Sequence, residues 1–149
     1  MKITGSYAFD APAAQVWETL MSPDQLSSCI PGCQGFELIA EDEYRVTINI
    51  RVGPINGRYE AKIALRDQNP PNSYRLVAEG SGPLGFAKGV AIGTLTEQDG
   101  KTTLQVEAEA EVGGTVARIG QRMTGTVAKT MMDRFFACLR ETRASPATY

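Results

Sequence analysis

TVARIGQRMTGTVAKTMMDRFFACLRET, residues 115 to 142, contains no proline and spaces its apolar residues as a helix does. Val116, Ile119, Met123, Val127, Met131, Phe135 and Cys138 recur at every third or fourth position and make one continuous stripe. A single helix of about 28 residues would be roughly 42 Å long. Gly113-Gly114 closes a strand pattern just before it. Such a stripe must be buried, and the only large surface on offer is the sheet built by the preceding strands. A curved sheet gripping one helix tends to leave a hollow, so this order of elements predicts a container.

The segments before the helix read as strands that alternate apolar and polar positions. Ile3, Gly5, Tyr7 and Phe9 alternate with Lys2, Thr4, Ser6 and Ala8. Asp10 is placed to cap a short helix that has Pro12 in its first turn and carries Val16, Trp17 and Leu20. A second short helix is expected from Asp24 to Cys29, before the turn Ile30-Pro31-Gly32-Cys33. Tyr44, Val46, Ile48, Ile50 and Val52 then share one face, as do Tyr59, Ala61, Ile63 and Leu65, and Tyr74, Leu76 and Ala78. Strands from about Phe86 to Thr96 and from Thr102 to Val112 complete the series. The order is strand, two short helices, about six hairpin-linked strands, long helix: an α+β chain with an antiparallel meander. Residues 1–143 are expected to form one domain and 144–149 a flexible tail.

Composition removes several function classes. A net charge of −2 offers no broad basic field for nucleic acid. Histidine is absent, and with it the commonest general base and metal ligand. The three cysteines read as reduced, structural thiols of a cytoplasmic chain, with Cys138 a small core residue on the helix stripe. Cys29 and Cys33 lack the further ligands that zinc needs, so no metal and no cofactor are expected. No apolar run is long enough to span a membrane.

The inward faces carry no ionisable acid or base other than tyrosine. Catalysis needs such groups in a cleft at a useful pKa, so their absence argues against an enzyme. One strand stands apart. Ala87, Gly89, Ala91, Gly93 and Leu95 form its first face and Lys88, Val90, Ile92, Thr94 and Thr96 its second. Small residues are weak strand formers and need a reason. Close packing of the helix on the strand is one, and room for a ligand is the other. The same register leaves Val90 and Ile92 outside as contact residues. GSGPLGFAKG, residues 80 to 89, lacks the ending of a phosphate loop. It reads better as a flexible rim over a cavity mouth, with Leu84 and Phe86 as apolar lid residues.

Taken together, certain motifs resemble the CoxG family of carbon monoxide dehydrogenase accessory proteins, within the START-like (SRPBCC) superfamily. They are Asp10-Ala11-Pro12 with Val16-Trp17, Ile30-Pro31-Gly32-Cys33, Val52-Gly53-Pro54 with Gly57, Gly80-Ser81-Gly82, Gly85-Phe86-Ala87-Lys88-Gly89, Val112-Gly113-Gly114, Ile119-Gly120-Gln121-Arg122 and Phe135-Phe136. The resemblance implies a helix-grip fold, a curved antiparallel sheet of about seven strands around a long C-terminal helix with an apolar cavity between. It implies an accessory protein associated with molybdenum hydroxylases of the carbon monoxide dehydrogenase type, with peripheral membrane contact, and with a quinone-like lipid. It carries over no catalytic residues.

The leading expectation is a module that binds a hydrophobic small molecule. Its expected lining is Tyr44, Tyr59, Tyr74, Phe86, Ala91, Met123, Val127 and Met131, with tyrosine hydroxyls orienting a polar head group. A docking protein without a ligand, meeting a hydroxylase or a membrane through Leu84, Val90 and Ile92, is the second reading. A cyclase- or hydrolase-like enzyme of the same superfamily is the third. A fully packed domain without a cavity is the remaining alternative.

Overall fold

The computed structural model describes residues 1–144. The elements run β1 (Lys2–Phe9), α1 (Ala13–Met21), α2 (Pro23–Cys29), β2 (Cys33–Ala40), β3 (Glu43–Val52), β4 (Ile55–Asn69), β5 (Ser73–Gly82), β6 (Gly85–Gln98), β7 (Lys101–Gly113), α3 (Thr115–Ile119) and α4 (Gln121–Ala144). The flexible tail expected from 144 falls, from 145 onward, outside the described residues. All seven strands form one antiparallel sheet in the order β1-β7-β6-β5-β4-β3-β2. Six of them follow one another by hairpins, and only β1 joins out of sequence, at the β7 edge.

The sheet's polar face looks outward and its apolar face looks toward α4, as period-2 alternation requires. The outward charges pair across strands, as in Arg45–Glu37, Arg66–Glu43, Lys88–Glu111 and Lys2–Glu109. Exposed pairs of this kind fix register more than they add stability.

The long C-terminal helix is present, but not as one piece. It breaks at Gly120, whose φ is 97°. A residue with a Cβ is strained at that angle, so glycine is what permits the break. The main helix is therefore 24 residues, about 36 Å long. Within α4, Thr124, Val127, Phe136 and Leu139 are buried, while Met123 is 46% exposed.

The cap of α1 differs from expectation too. Pro12 occupies the N-cap and no side chain of the neighbouring sequence caps it. The Ala13 N–H instead donates to Glu97 Oε1 of β6 at 2.8 Å. A carboxylate from a distant strand thus satisfies an orphan amide at the positive end of the helix. Close by, Thr102 Oγ1 donates to the Ala11 carbonyl at 2.7 Å, fully buried.

The thiol expectation is also overturned. Cys29 and Cys138 form a disulfide that ties α2 to α4, with Cα atoms 5.4 Å apart. Cys33 is the free thiol, and burial raises its pKa. A second tie holds the other edge of α4. Tyr7 of β1 stacks on Phe136 with ring centroids 4.4 Å apart, and its hydroxyl donates to Asp133 Oδ1 at 2.7 Å. Lys129 also donates to Asp133, at 2.6 Å. Hydrogen bonds from Lys129 and Tyr7 hold the Asp133 carboxyl below its ordinary pKa.

Candidate functional site

Two separate hydrophobic clusters occupy the space between sheet and helix, one at each end. The first gathers Tyr7, Phe9, Val16, Trp17, Leu20, Tyr44, Val46, Leu65, Tyr74, Leu95, Leu104, Phe136 and Leu139. These positions come from one end of the strands, where α1, α2 and the last turns of α4 close the sheet. The second is built on Ile55, Val116 and Val127, with Ile50, Val52, Tyr59, Leu84, Val112, Ile119 and Met131 against them. It lies at the opposite end, among the β3–β4 hairpin, the β5–β6 hairpin and α3. The Val116 N–H donates to the Leu84 carbonyl there at 2.6 Å, which holds α3 onto the β5–β6 turn.

Between the clusters the inward face of the sheet is made of small residues. Register places Ala61 opposite Gly80, Ala78 opposite Gly89, Ala91 opposite Ala108 and Gly89 opposite Ala110. The small side chains seen along β6 thus belong to a floor that crosses four strands. Ala61, Ala78, Gly80, Ala108 and Ala110 complete it; alternation already puts the four alanines on inward faces, and register brings them beside β6. These residues are only half-buried, although they face the helix side of the sheet. Only pairing reveals the floor: each strand alone shows a few alanines and glycines, and register sets them side by side.

The expected lining residues separate by place. Ala91 lies on the floor and packs against the first cluster. Tyr59, Val127 and Met131 lie in the second cluster. Tyr44 and Tyr74 lie in the first, packed against Phe36 and Trp17 respectively. Burial raises the pKa of both phenols, so neither is a ready acid or base near neutrality. Phe86 and Met123 do not join them. Phe86 is 50% exposed on the outward face, its ring lying over Gly113, because it shares the parity of Lys88 and Val90. Met123 is 46% exposed near the start of α4. Among the contact residues, Leu84 sits on the rim, and Val90 and Ile92 are exposed on the outer face.

The outer face has grooves of its own, such as the one between Arg45, Glu60, Lys62, Glu79 and Lys88. It is open and edged with charges of both signs, which suits water better than an apolar guest. Among the described residues there is no group of three or more Asp, Glu, Cys or His able to hold a metal. No described helix is long and apolar enough to cross a membrane.

The rim end is unusual in charge. Its segments, residues 49–59, 80–87 and 112–132, contain no Asp or Glu, although the chain has 17 of them. They carry the exposed Arg51, Arg58, Arg118 and Arg122. None of these four has an ion-pair partner among the described residues. Exposed Pro54, Pro83, Phe86 and Met123 stand among them.

Comparison with solved structures finds close likeness in a conserved protein from Geobacillus kaustophilus: 39% identity over 97% of this chain and 95% of that one, with a TM-score of 0.93. A START superfamily protein from Mycobacterium smegmatis shares the fold at 13% identity, with a TM-score of 0.74 over 95% of each chain. Comparison with curated proteins gives no match. The family model for CoxG, described as a carbon monoxide dehydrogenase subunit, matches residues 5–143. With that match, and with a seven-stranded sheet closed by a C-terminal helix in a START-like fold, the chain belongs to the CoxG family.

Proposed function

We propose that this protein is a non-catalytic accessory protein that holds a hydrophobic small molecule, quinone-like or another lipid, between its sheet and α4. In this reading it serves a molybdenum hydroxylase of the carbon monoxide dehydrogenase type. The observation that carries the binding role is the half-buried floor of alanine and glycine between two clusters of large side chains. Packed interiors interdigitate large against small. Here the small residues of four adjacent strands coincide, and in this reading the space in front of them is where the guest lies. An apolar guest entering that volume gains about 25 cal/mol per Å² buried and needs no charged partner. The hydroxylase partnership rests on family membership alone.

Native mass spectrometry of protein mixed with an isoprenoid quinone or a long-chain fatty acid tests the container. One bound guest per chain is expected. Ala91→Phe, which fills the floor, is expected to weaken binding about tenfold or more while the melting temperature moves by only a few degrees. A protein that binds none of these molecules would overturn the reading.

The rim supports a second role for the same end. Unpaired arginines around apolar tips, with no carboxylate in the same segments, suit an anionic surface such as a bilayer containing acidic phospholipid. Each arginine near such a surface contributes about 1 kcal/mol, so Arg51→Ala/Arg118→Ala is expected to lower vesicle affinity roughly 30-fold. Co-sedimentation with vesicles of acidic and of neutral phospholipid measures this. Equal binding to both vesicle types would count against it.

A further inference from the structure

We infer that the Tyr59 hydroxyl makes a directional contact in the pocket, donating a hydrogen bond to an acceptor oxygen on an otherwise apolar, uncharged guest. This rests on the container reading above and narrows it to a ligand class and an orientation.

Tyr44, Tyr59 and Tyr74 share the inward face, yet their surroundings differ. Tyr44 and Tyr74 are locked into the closed end by aromatic neighbours, with Tyr74 also lying over Gly93. Tyr59 alone belongs to the rim cluster. Its ring lies against Gly82 of β5, where a Cβ would collide with a ring carbon. Gly82 therefore lets the ring lie down and sets where its oxygen points. That oxygen is shut off from solvent and has no hydrogen-bond partner among the described residues.

Buried hydroxyls are nearly always satisfied, because an unpaired one forfeits its hydration for nothing. The exception here sits on a wall whose other members are apolar, at the rim of the space assigned to the guest. A phenol is a better donor than acceptor, so the matching group is a carbonyl or ether oxygen. Neither the floor nor the rim cluster contributes a charged side chain, so a charged head group at this depth would lie unneutralised. The guest is therefore neutral, with its acceptor end beside Tyr59 and its tail over the alanine floor. Reaching the hydroxyl means displacing rim side chains. The smallest element able to yield is α3, held between two glycines of positive φ, Gly114 and Gly120.

The test titrates wild type and Tyr59→Phe with two probes of nearly the same shape, 2,3-dimethyl-1,4-naphthoquinone and 2,3-dimethylnaphthalene, followed by Trp17 fluorescence. Tyr59→Phe is expected to weaken the quinone about tenfold and leave the hydrocarbon unchanged. Without ligand, its melting temperature is expected to equal or exceed that of wild type, since an unpaired group is removed. Undiminished quinone affinity in Tyr59→Phe, or a lower melting temperature of the ligand-free variant, would overturn the assignment and leave the container standing. A wild type that binds neither probe would remove both.

Discussion

Reduction of the Cys29–Cys138 disulfide is expected to lower the melting temperature by about 10 °C, one of the two largest single changes available to this fold. The bond joins residues 109 apart in sequence. Closing a loop of about that length removes roughly 4–5 kcal/mol of unfolded-state entropy in the chain-entropy argument, and measured values run nearer 2–4 kcal/mol. For a domain of this size each kcal/mol moves the midpoint by about 2–4 °C. Melting with and without a phosphine reductant measures the effect. Cys29→Ser/Cys138→Ser is expected to melt with reduced wild type and to ignore the reductant. Coincident melts of oxidised and reduced wild type would show that the bond holds nothing together. The bond also places the protein's stability under the control of its redox surroundings, because thiols are kept reduced where glutathione is abundant.

Leu104→Ala is the second. Leu104 is fully buried on β7, between Tyr7 of β1 and Leu95 of β6 in register, and both of those are buried too. Strands on both sides leave little room to collapse around a truncated side chain. A loss of about 3–5 kcal/mol is expected, at the upper end for such changes. In urea the midpoint should fall with no change in the slope of the transition. Leu38→Ala is the control, since Leu38 is 66% exposed and should cost within about 0.5 kcal/mol. Equal effects from the two substitutions would mean that the closed-end cluster is not the core.

The strands are legible in the sequence because one face of each meets water. Tyr44 to Val52 and Leu104 to Val112 alternate cleanly for that reason, and hairpins between consecutive strands leave few other topologies. What local patterns do not carry depends on residues distant in sequence. The apolar spacing runs through Gly120 as though it were helical, and a glycine inside a helix costs only about 1 kcal/mol. The break goes with α3 being held to the Leu84 carbonyl, a contact that no local window contains. The Cys29–Cys138 pairing cannot be read from spacing, because connectivity is not encoded there. Asp10 looks like the cap of α1 because it is near in sequence, whereas Glu97 is near in space. In the site, parity groups Tyr44, Tyr59 and Tyr74 correctly onto one face. Which of them belongs to the core and which to the rim depends on position along the strand relative to α1 and α2. Placing Phe86 in the lining runs against its own parity, and its outward place is what alternation with Lys88 and Val90 demands.

The edge position of β1 has a consequence for how the molecule is made. Its partner is β7, the last strand of the chain. The cap of α1 reaches 84 residues ahead, and the carbonyl of Ala11 waits for Thr102, 91 residues ahead. On a ribosome, the first strand and the amphipathic helix after it therefore emerge with none of these contacts available. They stay greasy and unpaired until β7 has been made. Long-range pairing of this kind slows folding and prolongs the exposure of sticky segments. A nascent chain stalled before β7 would lack a partner for its own beginning, and that is where chaperones would be expected to hold it.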